Sequence, residues 1–142
     1  MKTFRIANGD LVLTGTSFEE VTDEVKVRQD LGIAVREPYG CDRFHPQWGS
    51  LLDTYVGGPL TMESKALVQA EVARVVSSYM AKQATQQNAD QMANRRSHFS
   101  ANELVAQVTA IEVAQQMDAL HVRVRLQTLT SSEVTLTSTV RL

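Results

Sequence analysis

The clearest hydrophobic pattern lies near the carboxyl end, where HVRVRLQT puts Val122, Val124 and Leu126 on one face and His121, Arg123, Arg125 and Gln127 on the other. EVTLTSTVRL repeats that alternation with Val134, Leu136, Val140 and Leu142. A period of two is the mark of a half-buried strand. Ser131-Ser132 suits the turn between these strands, and Met117-Asp118-Ala119 a turn back to an earlier strand over Leu104 to Gln116, giving an antiparallel meander of about three strands.

Upstream the period lengthens. Val68, Val72, Val75, Val76, Tyr79 and Met80 follow three-and-four spacing, which predicts a helix capped by Thr61, with Glu63 near its positive end. The glutamine-rich continuation AKQATQQNADQMANRR reads as a solvated helical end leading into a loop over residues 95–100. An earlier helix is expected from a capping box of Ser17 and Glu20. Phe18, Val21 and Val25 would form its apolar stripe, continued by Val27, Leu31, Ala34 and Val35. Pro38 should stop it by Arg36. Before it, Asn8-Gly9 favours a tight turn, so Thr3 to Ala7 and Asp10 to Thr14 read as a β-hairpin. Trp48 to Val56 suits a short helix ended by Gly57-Gly58-Pro59. The fold class is α+β: an N-terminal hairpin, two main helices and the C-terminal meander.

Composition narrows the picture without changing it. The 142 residues fit one domain, 1–142, and neither a repeat nor a linker stands out. With 6% aromatic residues the core must be mostly Val, Leu and Ala. A net charge of −2 argues against nucleic acid or an anionic membrane as partner. One cysteine rules out an internal disulfide and suits a reducing compartment. No apolar run is long enough to span a bilayer, and MKTFRIANGD lacks a signal-peptide core, so a soluble protein is expected.

Candidate chemistry concentrates in REPYGCDRFHPQWGSLLDTYVGG, residues 36–58. Cys41, Asp42 and His45 are close in sequence, but no further Cys or His pair completes a zinc set, and His98 and His121 read as surface residues. A Cys-His nucleophile lacks an orienting third group. Glu37, Asp42 and Asp53 are carboxylates that a glycosidase could use only if the fold paired them across a cleft. Gly57-Gly58-Pro59 lacks the lysine of a phosphate loop. Arg95-Arg96 and Arg123 with Arg125 fit solvated surfaces. The chain reads as a non-enzyme without cofactor or metal.

A helix carrying an Arg-Gln pair followed by G-x-x-R-x-x-P-x-x-G-S resembles the gp25-like family of contractile-tail baseplate proteins, also called sheath initiators. The matching positions are Arg28, Gln29, Gly40, Arg43, Phe44, Pro46, Gly49, Ser50 and Leu51. The hairpin with GDLVLTG is similar to Mu-type baseplate proteins. The family's Glu-Pro-Arg-type signature is replaced here by ANRRSHFSANELV, where Arg95 or Arg96 is a candidate substitute. What the resemblance implies is a structural role in the virion's tail baseplate, assembled in the host cytoplasm. Its partners would be the tail sheath protein, baseplate wedge proteins and tail tube or hub proteins. The first sheath ring would be templated through strands carrying Val122, Val124, Leu126, Val134, Leu136 and Val140, with the Ser/Thr-rich run 128–139 keeping their edge soluble. Phe44 and Trp48 are expected to anchor the loop on the core, and Arg43 to make a specific polar contact. The alternatives are a small lysozyme-like peptidoglycan hydrolase using Glu37 or Asp42 with Asp53, and an α+β adaptor in another complex.

Overall fold

The computed structural model describes residues 1–142 except Val56, Leu60, Met117, Asp118 and Leu142, together with the side chains of Val140 and Arg141. The turn expected at Met117-Asp118, the end of the short helix at Val56 and the outermost apolar positions Val140 and Leu142 therefore lie wholly or partly outside the described residues.

The first 21 residues form more than a hairpin. Three segments each bend at their midpoint and pair with both neighbours. β1 (Thr3–Phe4) pairs with β6 (Glu20–Val21), β2 (Ile6–Ala7) with β3 (Asp10–Leu11), and β4 (Leu13–Thr14) with β5 (Ser17–Phe18). At the midpoints the backbone closes a ring: Val12 N–H donates to Arg5 O at 3.0 Å, Glu19 N–H to Val12 O at 2.9 Å, and Arg5 N–H to Glu19 O at 2.7 Å. The expected Asn8-Gly9 turn is present, with φ of 54° and 85°. Gly15 supplies a second corner at φ 66°.

This ring is a repeat that the sequence reading did not find. Arg5, Val12 and Glu19 are spaced by seven, and Phe4, Leu11 and Phe18 share the preceding phase. The Ser17–Glu20 capping box is consequently wrong. Ser17 and Phe18 lie in β5, and Phe18 meets Phe4 at 5.5 Å between ring centroids. An apolar residue three or four places ahead of a helical stripe mimics that stripe although it serves a different period.

Helix α1 (Asp23–Arg36) starts instead from Thr22, with Asp23 and Glu24 in its first turn. Val27, Leu31, Ala34 and Val35 are fully buried as expected, whereas Val25 is exposed. Pro38 acts as predicted: Glu37 leaves helical geometry with φ −74° and ψ 130°. Gly32 lets α1 sit close to the sheet, since a Cβ there would lie 3.4 Å from Leu136 Cδ1. Gln29 joins α1 to the ring, accepting from Ile6 N–H at 2.8 Å and donating to Phe4 O at 2.8 Å.

Within the short helix expected over Trp48 to Val56 the structure forms a 3-10 turn (Leu52–Tyr55), and α2 (Met62–Met92) follows. Thr61 caps α2 in a reciprocal box with Ser64. At 31 residues α2 is about 46 Å long. Its glutamine-rich half is not simply solvated, because Gln83 and Asp90 are both buried. The Gln83 amide donates to Glu103 O at 2.7 Å and accepts from Val105 N–H at 3.1 Å, fixing the entry to the sheet.

The sheet is antiparallel in the order β7 (Val105–Gln116), β8 (Ala119–Thr128), β9 (Glu133–Arg141). Val122, Val124 and Leu126 on β8 and Val134 and Leu136 on β9 face the two helices and form the core with Val72 and Val76 of α2. Ser131 turns the chain between β8 and β9 at φ 64°. This is the α+β architecture read from the sequence. Among the described residues no helix is long and apolar enough to cross a membrane.

Replacing Gln29 by Ala removes both hydrogen bonds from the ring to α1. The variant should lose about 1–2 kcal/mol in urea unfolding, with faster hydrogen exchange at the Ile6 amide than at Val122.

Candidate functional site

The loop between α1 and the 3-10 turn is held at its neck by a parallel bridge between Pro38 and Ser50. Ser50 N–H donates to Glu37 O and Tyr39 N–H to Ser50 O, both at 2.8 Å, while the buried Ser50 hydroxyl donates to Val35 O at 2.6 Å. Gly49 is required here: its φ is 95°, and a Cβ would fall 2.6 Å from Pro38 O. Gly40 also takes a positive φ, 79°, and donates to Trp48 O at 3.0 Å.

Helix α2 grips the same neck through residues that the sequence reading missed. Arg74 donates to Gly49 O at 2.9 Å and to both Glu71 oxygens at 2.7 and 2.9 Å, and its guanidinium lies 5.0 Å from the Tyr39 ring centroid. Glu71 accepts from Leu51 N–H at 2.8 Å. The hydrogen bonds from Arg74 hold the Glu71 carboxyl below the usual range against the opposing effect of burial. The available signal was a carboxylate set within the buried stripe Val68–Val72–Val75 and an arginine one turn later.

At the loop's far end Asp42 accepts from Phe44 N–H and from His45 Nδ1, each at 2.8 Å, and the His45 bond is the main cause of its lowered pKa. This turn aims Phe44 outward with 89% of its surface exposed, so Phe44 does not anchor the loop. Arg43 beside it is exposed and has no hydrogen bond or ion pair among the described residues. Pro46 is exposed as well. Trp48 alone packs on the core, with the Lys82 ammonium 3.9 Å from its ring centroid. Burial lowers the Lys82 pKa.

Trp48, Tyr79, Lys82, Phe99 and Asp42 line a largely apolar cleft of about 650 Å³. On its wall Asp30 accepts from Lys26 at 2.6 Å and from the Tyr79 hydroxyl at 3.3 Å. Burial, and then the Asp30 charge, push the Tyr79 pKa up. Of the three candidate hydrolytic carboxylates only Asp42 lines this cleft, and both its oxygens are engaged. Glu37 ends α1, and Asp53 lies exposed in the 3-10 turn. Cys41 is exposed, and no group of three potential metal ligands occurs among the described residues.

Between α2 and the sheet, where a Glu-Pro-Arg-type signature was sought, Arg95 and Arg96 are exposed and the buried group is Glu103. It accepts from Ser100 N–H at 3.0 Å and Asp23 N–H at 3.3 Å, and lies 2.9 Å from the Met1 amino group. His98 is exposed, as read from the sequence, but it has a partner. Its Nδ1 lies 2.6 Å from Asp90, and its backbone N–H donates to the same carboxylate at 3.0 Å, which ties α2 to this loop.

The sheet carries the last group of candidate residues. Val122, Val124, Leu126, Val134 and Leu136 are buried against the helices, so their side chains are not a contact surface. β8 is paired on both sides, leaving β7 and β9 as the strands with outer edges. Val140 pairs with Leu120 through the backbone.

This arrangement can be set against known proteins. No family model matches the chain, and no curated protein matches it. A solved structure from Geobacter sulfurreducens, provisionally named a tail lysozyme, superposes with a TM-score of 0.61 at 11% identity, covering 94% of this chain and 96% of the other. The two proteins share a fold. The match takes in the N-terminal part, both helices and the sheet rather than one fragment.

Two substitutions probe the loop neck. Gly49→Ala should cost about 3 kcal/mol or more in urea unfolding, because it combines a positive φ with a clash against backbone. Glu71→Gln should cost about 2 kcal/mol near neutral pH. Since the folded Glu71 pKa lies below its ordinary value of 4.5, its contribution is full above that value and drains as pH falls through the lowered one. Wild-type stability should therefore fall more steeply than that of Glu71→Gln as pH drops from about 5 to about 3.

Proposed function

We propose that the chain is a structural component of a contractile tail baseplate, seated around the tail tube, and that it templates the first sheath ring by strand addition to its C-terminal sheet. The observation that carries this reading is the open outer edge of β9, which pairs with β8 alone among the described residues. Such an edge offers a row of backbone donors and acceptors to an incoming strand. The shared fold with a protein whose name places it in a tail supports the setting.

The loop tip suits the same role. Asp42 fixes a turn whose only apolar residue, Phe44, projects into solvent beside the unpartnered Arg43. An aromatic beside an arginine is the composition of an interface anchor. On this reading the wedge, tube or hub proteins meet the tip, and the sheath meets the sheet edge.

A lysozyme-like reading draws on the provisional name of the Geobacter sulfurreducens protein and on the position of Asp42 in the cleft. Incubation with peptidoglycan separates the two. Release of soluble fragments by the wild-type chain, lost in Asp42→Asn, would replace the structural reading.

The structural reading is tested by seeding. The wild-type chain should shorten the lag of sheath polymerisation on tubes assembled from the same tail genes. Thr137→Lys with Thr139→Lys, which charges two exposed positions of β9, should keep the circular dichroism of the fold and lose seeding. Unchanged seeding by that folded variant would defeat the proposal.

A further inference from the structure

Beside β9 runs a groove of about 410 Å³, lined also by residues of α1 and by Arg5 and Ile6 of the ring. The helix contributes Val25, Arg28, Gly32 and Arg36, and the strand contributes Leu136 to Thr139. Three arginines line this space, and no Asp or Glu is among the described residues that line it. In a chain of net charge −2 that is a local reversal of sign.

The three arginines are not equally occupied. Arg5 is paired with Glu19 at 2.6 Å. Arg36 donates to the Gly32 carbonyl at 2.9 Å and has no carboxylate partner among the described residues. Arg28 is exposed and has no hydrogen bond or ion pair among the described residues. Among the described residues two cationic positions of α1 are therefore left without a carboxylate partner along one groove.

Ser138 adds an independent sign. It follows Val134 and Leu136 on the inward face of β9, where an apolar residue would complete the alternation. It is 5% exposed, lines the groove, and its Oγ has no hydrogen-bond partner among the described residues. A buried hydroxyl without a partner destabilises the fold unless something supplies one.

We infer that this groove receives an extended acidic segment of a partner polypeptide, laid along the outer edge of β9 with its carboxylates on Arg28 and Arg36. The inference rests on the strand-addition reading above and gives it an edge and a charge. Backbone favours a peptide over a simple anion, because a strand edge presents carbonyl acceptors as well as N–H donors and an anion satisfies only the donors. Spacing adds a prediction about the occupant. Arg28 and Arg36 are eight helical residues apart, about 12 Å, which matches about four residues of strand. Two acidic residues at i and i+4 of the segment fall on one face and meet both arginines.

The experiment uses the full chain and three fluorescein-labelled octapeptides of alternating Thr and Val, carrying Glu, Lys or Gln at positions three and seven. By fluorescence anisotropy the Glu peptide should bind at least ten-fold more tightly than the Lys peptide, with the advantage shrinking as salt is raised, and should shift the backbone amide signals of residues 136–139. Arg28→Glu with Arg36→Glu, both at exposed positions, should reverse the order of the Glu and Lys peptides. Equal binding of all three peptides with shifts at β9 would overturn the acidic preference while leaving strand addition standing. No binding of any peptide by a chain that still seeds sheath would overturn the groove as the docking place, and loss of both would overturn the parent reading as well. Displacement of the Glu peptide by millimolar inorganic phosphate without backbone shifts would show an anion site instead and overturn the peptide assignment.

Discussion

Backbone that is left unpaired where a strand stops is the constraint on which this architecture turns. The chain answers it twice with the same device, a glutamine projecting from a helix. Gln29 satisfies Phe4 O and Ile6 N–H, and Gln83 satisfies Glu103 O and Val105 N–H. Each amide behaves as one residue of an absent neighbouring strand, because a carboxamide carries the same donor and acceptor as a peptide group. The first ties the ring to α1 and the second ties α2 to the sheet. With both helices fixed, their apolar stripes close over Val122, Val124, Leu126, Val134 and Leu136. Against that background the outer edge of β9 stands out, since no such side chain covers it among the described residues.

The loop neck applies related logic with charge. Glu71 and Arg74 lie on a mostly apolar helical face, and burying the pair is tolerable only because its polar atoms also reach Leu51 N–H and Gly49 O. The outcome is a rigid neck with a projecting tip. Rigidity at the base keeps Phe44 from folding back onto the core, which lowers the entropic cost of using it as an anchor.

The legible parts of the sequence were those in which one period ran undisturbed. The alternation in HVRVRLQT gave β8 with the correct inward residues, and Thr61 gave the start of α2. Pro38 marked the end of α1. Illegible parts had two physical causes. Phe18 belonged to a seven-residue backbone cycle, yet its distance from Val21 and Val25 fitted a helix. Gln83, Asp90 and Glu103 are polar residues buried by pairing with backbone, and a polar residue read alone looks solvated whether or not it finds such a partner. The motif positions divide in the same way. Gly49 and Ser50 are explained by local geometry, Gln29 only by a partner 23 residues away, and Arg28 and Arg43 by nothing within the described chain.

The ring of Arg5, Val12 and Glu19 is specified by arithmetic more than by chemistry. Its three closing bonds join main-chain atoms, so side chains at those positions are free to differ as widely as an arginine, a valine and a glutamate do. What cannot vary is the interval between them. A single-residue insertion in any segment would put every later midpoint out of step with its donor, whereas a change of residue type would leave the circuit closed. What the ring demands of the sequence is therefore an interval rather than particular letters, a demand that a superposition of backbones registers and a comparison of residue types does not.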